Sequence, residues 1–257
     1  MQADFSGKVA LVTGSSGGIG RAIALKFAES GVDVVINGRH AAPGREVVRQ
    51  VKGMGGRAVF EKADVMSYRQ LQRMVDRVLD RMGRIDILVA SGGRPSQLIG
   101  PEFFRETDPA DYIDHVKSQW LSRLNCARAV LDHMVERQSG KIIMIGTDGG
   151  RVPTPGECLP GGAGAALVMA TKVMAAEFAR WGIRVNTICV TVTRDTPDLE
   201  FALDSPIANI MKKALARQPF PTTSADIAEA ALFLASAGSD QITGQILSVN
   251  GGLSFPG

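Results

Sequence analysis

The sequence predicts an α/β protein built on one doubly wound parallel sheet of about seven strands with helices on both faces, a single domain over residues 1–257. Three observations carry this. Short β-branched and aliphatic runs alternate with longer stretches of helical spacing. The runs read as strands buried on both faces, as a parallel sheet requires. The first of them leads directly into a glycine-rich turn that opens a helix. With 45% apolar residues, 257 residues suffice for one substantial core without a second domain.

In chain order, the strand at 9–13 (VALVT) is followed by a helix at 20–29, a strand at 34–37 and a helix at 43–51. Strand 58–61 and helix 67–81 come next, then strand 85–90 and a long helix over 109–137. Strand 141–145, helix 162–181, strand 183–188, helix 225–236 and strand 245–249 complete the alternation. Right-handed crossovers between such strands give a doubly wound sheet. Residues 191–223 carry Pro197, Pro206, Pro219 and Pro221 and read as one irregular stretch after the sixth strand, where such sheets place substrate loops.

Composition excludes several classes. A formal charge of +3, with Arg interleaved among Asp and Glu, does not announce nucleic acid. Cys126, Cys158 and Cys189 are odd in number and lack CxxC spacing, so neither a disulfide framework nor a metal site is expected. The opening MQADFSGKVALVTG has no signal pattern, and no apolar run reaches about 18 residues. A cytoplasmic protein away from membranes is the expectation.

The turn after the first strand reads Thr13-Gly14-Ser15-Ser16-Gly17-Gly18-Ile19-Gly20. Glycines there allow a pyrophosphate to approach the backbone, and the free N–H groups at the helix start stabilise its charge. This TGxxxGxG pattern resembles that of the short-chain dehydrogenase/reductase family. The likeness continues through Asp64-Val65, 85–89 (IDILV), 140–143 (GKII), 182–186 (GIRVN), 226–228 (DIA) and 242–245 (ITGQ), nearly the whole chain. It implies a Rossmann-type fold that binds NAD or NADP. The second strand ends Asn37-Gly38-Arg39-His40, with an arginine and no acid, which favours the 2′-phosphate of NADP(H). Asp64 and Val65 would flank the adenine, and Ser91, within 90–93, would line the adenosine ribose side.

In this family a tyrosine transfers the substrate proton, a lysine lowers its pKa, a serine polarises the substrate oxygen, and a helix asparagine completes a relay. The resemblance puts Thr147 at the serine position, Gln119 at the asparagine, Pro160 at the tyrosine and Gly164 at the lysine. Neither Pro160 nor Gly164 titrates. No tyrosine lies between Gly146 and Arg180; Tyr68 and Tyr112 read as helix-packing residues, and Lys172 lies two turns beyond the lysine position. The family's NNAG becomes Ala90-Ser91-Gly92-Gly93, followed by Arg94-Pro95, and its PG becomes Val190-Thr191. Glu157, Cys158 and His115 are the remaining acids able to replace the tyrosine, and Asp148 follows Thr147. Each also has an ordinary reading, as a solvated loop acid, a packing thiol or a helix histidine.

The resemblance further implies an oligomer, homomeric or heteromeric, of the dimer-of-dimers kind, through the fourth and fifth helices and the C-terminal strand. The small residues of 161–166 suit close helix approach. Three functions are compatible with these features. One is a catalytically silent subunit assembling with an active relative. The others are an atypical NADP(H)-dependent oxidoreductase using Thr147 with a non-tyrosine acid, and an NADP-sensing binding protein.

Overall fold

Seven parallel strands run in the order β3-β2-β1-β4-β5-β6-β7 in a computed structural model that describes residues 4–93 and 102–256. They are β1 Val9–Thr13, β2 Asp33–Gly38, β3 Ala58–Lys62, β4 Ile87–Ala90, β5 Gly140–Thr147, β6 Ile183–Val190 and β7 Ile246–Val249. The order reverses between β1 and β4, which opens a crevice at the carboxyl ends of the strands. Pleating sends alternate side chains of β1 to opposite layers: Val9 and Leu11 join one apolar cluster, Ala10 and Val12 the other.

The first cluster is closed by α3 (Tyr68–Met82), α5 (Ser122–Glu136) and α6 (Cys158–Phe178). The second is closed by α1 (Gly18–Glu29), α2 (Ala41–Gly53) and α9 (Ser224–Ala235). Phe27, Ile36, Met74 and Leu88 are fully buried in these layers; each such side chain contributes about 1.5–3 kcal/mol.

The long fourth helix is not continuous. A 3-10 turn at Pro109–Asp111 leads into α4 (Tyr112–Val116), then a π-helical turn at Lys117–Leu121, then α5. The cause is local. The Ser118 carbonyl, which a regular helix would offer to the Ser122 N–H, accepts instead from the Ser122 hydroxyl at 2.7 Å and from the Arg123 guanidinium. Side chains that insert into the helix ladder in this way widen the turn.

The irregular stretch expected over 191–223 is also corrected. Thr196 caps Pro197 at the start of α7 (Pro197–Leu203), and α8 (Ala208–Arg217) follows. Proline at the first helical position costs nothing, because its missing N–H has no intrahelical partner there. Val192, Leu199, Ala202, Ile207 and Met211 give the two helices a small core of their own. The same allowance lets α6 begin at Cys158, four residues earlier than expected, with Pro160 inside its first turn.

The helical stretch Cys158–Trp181 has 24 residues and contains an 18-residue window of mean hydropathy 1.3, long and apolar enough by length and composition alone to cross a membrane. Alanine and glycine supply much of that apolarity, and its buried side packs on β5, β6 and the 3-10 turn Asp148–Gly150.

Candidate functional site

A cleft of about 890 Å³ follows the carboxyl ends of the strands, from the turn before α1 to α7 and α8. At its first end, hydrogen bonds fix the glycine turn to the sheet. The Ser15 hydroxyl donates to the Val12 carbonyl at 2.6 Å and accepts the Asn37 N–H at 3.0 Å. Asn37 in turn donates its amide to the carbonyls of Glu61 and Ala63 at 3.1 and 3.2 Å, which ties β2 to the end of β3. Gly14 has φ of +65°, and a Cβ there would lie 2.5 Å from the Gly92 Cα, so only glycine lets the turn meet the loop after β4.

Gly14, Ser16, Gly17, Gly18, Ile19, Gly20, Arg39, Asp64, Val65 and Ser91, each expected to hold the adenosine half of a dinucleotide, all line this cleft. The Asp64 carboxylate accepts the Met66 N–H at 3.0 Å, which holds it at the rim. Arg39 makes no ion pair among the described residues. This end fits an adenine dinucleotide: the bare backbone at Gly14 admits a pyrophosphate, α1 starts beneath it, and Arg39 is an uncompensated cation for a 2′-phosphate.

At the other end, Gln119, Thr147, Glu157 and Pro160 share the cleft. The Thr147 hydroxyl accepts the Gly149 N–H at 3.1 Å and donates to Glu157 Oε2 at 3.5 Å. Burial pushes the Glu157 carboxyl above the ordinary glutamate range and the charge on Asp148 adds to this, against the hydrogen bond from Thr147. Asp148 is a strut rather than a free acid. It accepts from the Ser248 hydroxyl at 2.6 Å and the Asn250 amide at 2.8 Å, and pairs with Arg151 at 3.8 Å.

Gly164 is buried behind this wall, outside the cleft. A Cβ on it would lie 2.9 Å from Thr147 Cγ2, closer than real Cβ atoms pack, and 3.2 Å from the Gly150 Cα, tighter than most do. Cys158 is exposed at the start of α6 and does not reach the cleft. His115 is buried beside Leu159 and Pro160 in a separate small space, and its Nδ1 has no partner among the described residues. Burial lowers its pKa. Neither Tyr68 nor Tyr112 lines the cleft. Arg94 and Pro95 lie outside the described residues.

Residues 8–202 match the family model for short chain dehydrogenases. The chain belongs to the short-chain dehydrogenase family. An uncharacterized oxidoreductase of Thermotoga maritima is 30% identical over 252 residues, 97% of this chain and 98% of that one. A (2S)-[(R)-hydroxy(phenyl)methyl]succinyl-CoA dehydrogenase subunit of Thauera aromatica is 35% identical over 255 residues, 96% and 97% of the two chains. In structure, a 7α-hydroxysteroid dehydrogenase complexed with NADH and 7-oxo glycochenodeoxycholic acid superposes with a TM-score of 0.88 at 29% identity, covering 98% and 96% of the chains. A gluconate 5-dehydrogenase from Burkholderia cenocepacia with NADP and tartrate gives 0.87 at 31%, covering 96% and 95%.

Two features of this short-chain dehydrogenase escaped the sequence reading. One is the helical build of α7 and α8, whose Lys213 and Arg217 reach the cleft. The other is Arg123, a cleft-lining arginine buried in the first turn of α5. Its spacing with Cys126, Ala127, Val130 and Met134 places it on the buried face of that helix, which is the signal that would have found it.

Proposed function

We propose that this chain is a catalytically silent short-chain dehydrogenase subunit that assembles with an active, tyrosine-bearing relative. The observation that carries the reading is the closure around Gly164. The place where the family's lysine would begin is filled by the Thr147 methyl and the Gly150 backbone, and the chain's two tyrosines lie away from the cleft. At the family's lysine position, then, the nicotinamide ribose has no ammonium donor.

The adenosine end favours retained NADP(H) binding through Gly14, the start of α1 and Arg39. NADP(H), when bound, supplies or accepts a hydride. Assembly is favoured by the apolar face that α6 leaves uncovered, where Met169 is 59% and Val173 48% exposed. The Thauera relative is named as a subunit of a dehydrogenase acting on a CoA thioester, and the same arrangement suits this chain, as a homo- or hetero-oligomer of the dimer-of-dimers kind. In this reading residues 191–223, with α7 and α8, form the substrate side of the cleft.

A second reading, an atypical NADP(H)-dependent oxidoreductase, is favoured by the contact between Thr147 and Glu157. In it the threonine hydroxyl orients the carbonyl oxygen, and Glu157, whose hold on a proton is strengthened by burial, is the group placed to give that oxygen its proton. Co-expression with a tyrosine-bearing relative separates the two. The first reading expects a stable mixed complex whose turnover disappears when the relative's tyrosine becomes phenylalanine. Turnover surviving that change overturns it in favour of the second.

A further inference from the structure

Among the described residues, the three most deeply buried acids of this chain have cationic partners. Glu61 is held by Arg77 at 2.8 Å and Arg81 at 2.7 Å, Asp86 by Arg84, and Asp148 by Arg151 at 3.8 Å. Arg123 is the exception among the buried charges that carry a permanent cation. It is only 7% exposed, yet it pairs with no carboxylate among the described residues. Burial pushes its pKa down to about 10, which still leaves it cationic at neutral pH.

Its surroundings are built to hold it there. Nε donates to the Ile145 carbonyl at 3.4 Å, and Nη1 donates to the Ser122 hydroxyl at 3.0 Å and to the Ser118 carbonyl presented by the π-helical turn. Gly93, with φ of +139°, covers the guanidinium from the end of β4. A Cβ there would lie 2.4 Å from Nη1 and 2.1 Å from the Ser118 oxygen, so the loop leaves room for the arginine only as glycine. Nη2 has no acceptor among the described residues, and the side chain borders the cleft beside Gln119, Ile145 and Thr147. The carbonyls solvate the guanidinium without neutralising it. A buried cation in that state is a strong attractor for an anion that can reach it.

We propose that Arg123 forms an anion subsite in the inner part of the cleft, where its guanidinium takes a carboxylate or phosphate group of a bound small molecule. The planar fork suits either group. Glu157, which lines the same cleft, makes no ion pair with it, and Asp148 is committed to Ser248 and Asn250, so neither acid already fills the subsite. Lys213 and Arg217, further out on α8, extend the positive character of the cleft toward its mouth. The subsite stands whether or not the chain turns a substrate over.

The experiment is thermal denaturation and calorimetric titration of the purified full chain with succinate, with inorganic phosphate, and with uncharged succinamide as control. The wild type is expected to be stabilised saturably by succinate or phosphate and unaffected by succinamide. A response to succinate alone marks a carboxylate site, and a response to phosphate alone marks a phosphate site. Arg123→Met is expected to lose the response while 2′,5′-ADP, the probe of the adenosine end, binds as before. Should Arg123→Met not fold, Arg123→Lys, which keeps the charge but not the fork, is expected to bind the anion at least tenfold more weakly. Equal anion affinity in wild type and variant overturns the proposal. So does a wild type that responds to succinamide as to succinate, or to none of the probes.

Discussion

Thr147 carries a methyl group that a serine lacks, and that methyl sits where a side chain on residue 164 would begin. The two replacements are therefore physically coupled: glycine at 164 makes room for threonine at 147. Adding a Cβ with Gly164→Ala is expected to destabilise the chain by about 1–3 kcal/mol through overpacking, measured by urea denaturation. In a Thr147→Ser background the same change is expected to cost less, with a coupling of about 0.5 kcal/mol or more. Glu157 makes a separate prediction. Its folded-state pKa is raised, so the folded chain holds the proton more tightly than the unfolded one. The stability this gives is full below the ordinary glutamate value of 4.5 and is lost as pH rises through the raised value. Glu157→Gln removes that loss, and the thermal midpoint of the variant should gain on the wild type as pH rises above 4.5. A constant difference across that range would show that Glu157 is solvated. At this scale the glycine turn and Arg39 could be set on the cleft from the sequence because each is tied to a short motif at a strand end. Arg123 and the isolation of His115 were not legible, because burial of a polar side chain depends on which loops cover the helix.

The helices α4, α5 and α6 show how local chemistry overrides a regular pattern. Apolar spacing over 109–137 reads as one helix, but the Ser122 hydroxyl and the Arg123 guanidinium capture a backbone carbonyl and open a π-helical turn at Gln119. That turn sets the amide of Gln119 at the cleft wall. Helix α6 was legible in place but not in start, since a proline in the first turn reads as a break unless its N–H is one that needs no partner. Its composition reads equally well as a buried helix or as an interface helix. The structure leaves Met169, Val173, Ile113 and Leu121 exposed on α6 and the segment before α5. Burying the remaining exposed halves of Met169 and Val173 against a partner is worth about 1.5–3 kcal/mol, on the order of tenfold or more in affinity. Met169→Glu with Val173→Glu is accordingly expected to leave a monomer in sedimentation velocity and to abolish the mixed complex. An unchanged oligomer would place the interface elsewhere.

The sheet was the most legible part of the molecule. All seven strands were read within about two residues of where they lie, because a strand covered on both faces must be apolar throughout and each is bounded by glycine or polar residues. The strand order follows from right-handed crossovers and from the glycine turn, which belongs at the point where the order reverses. The helices of 191–223 were hidden by their prolines, two of which lie at or near helix starts rather than inside helices. On the proposed reading, the nucleotide-binding end of the molecule keeps the glycine turn of its family, while Gly164 and the Thr147 methyl fill the place that the family's lysine would take. The most direct test of that account is NADPH oxidation by the purified chain alone, with ketone and 3-oxoacyl thioester substrates, beside the Glu157→Gln variant. The account predicts no turnover above the uncatalysed rate from either protein. Turnover by the wild type that Glu157→Gln abolishes would contradict it and make this chain an enzyme in its own right.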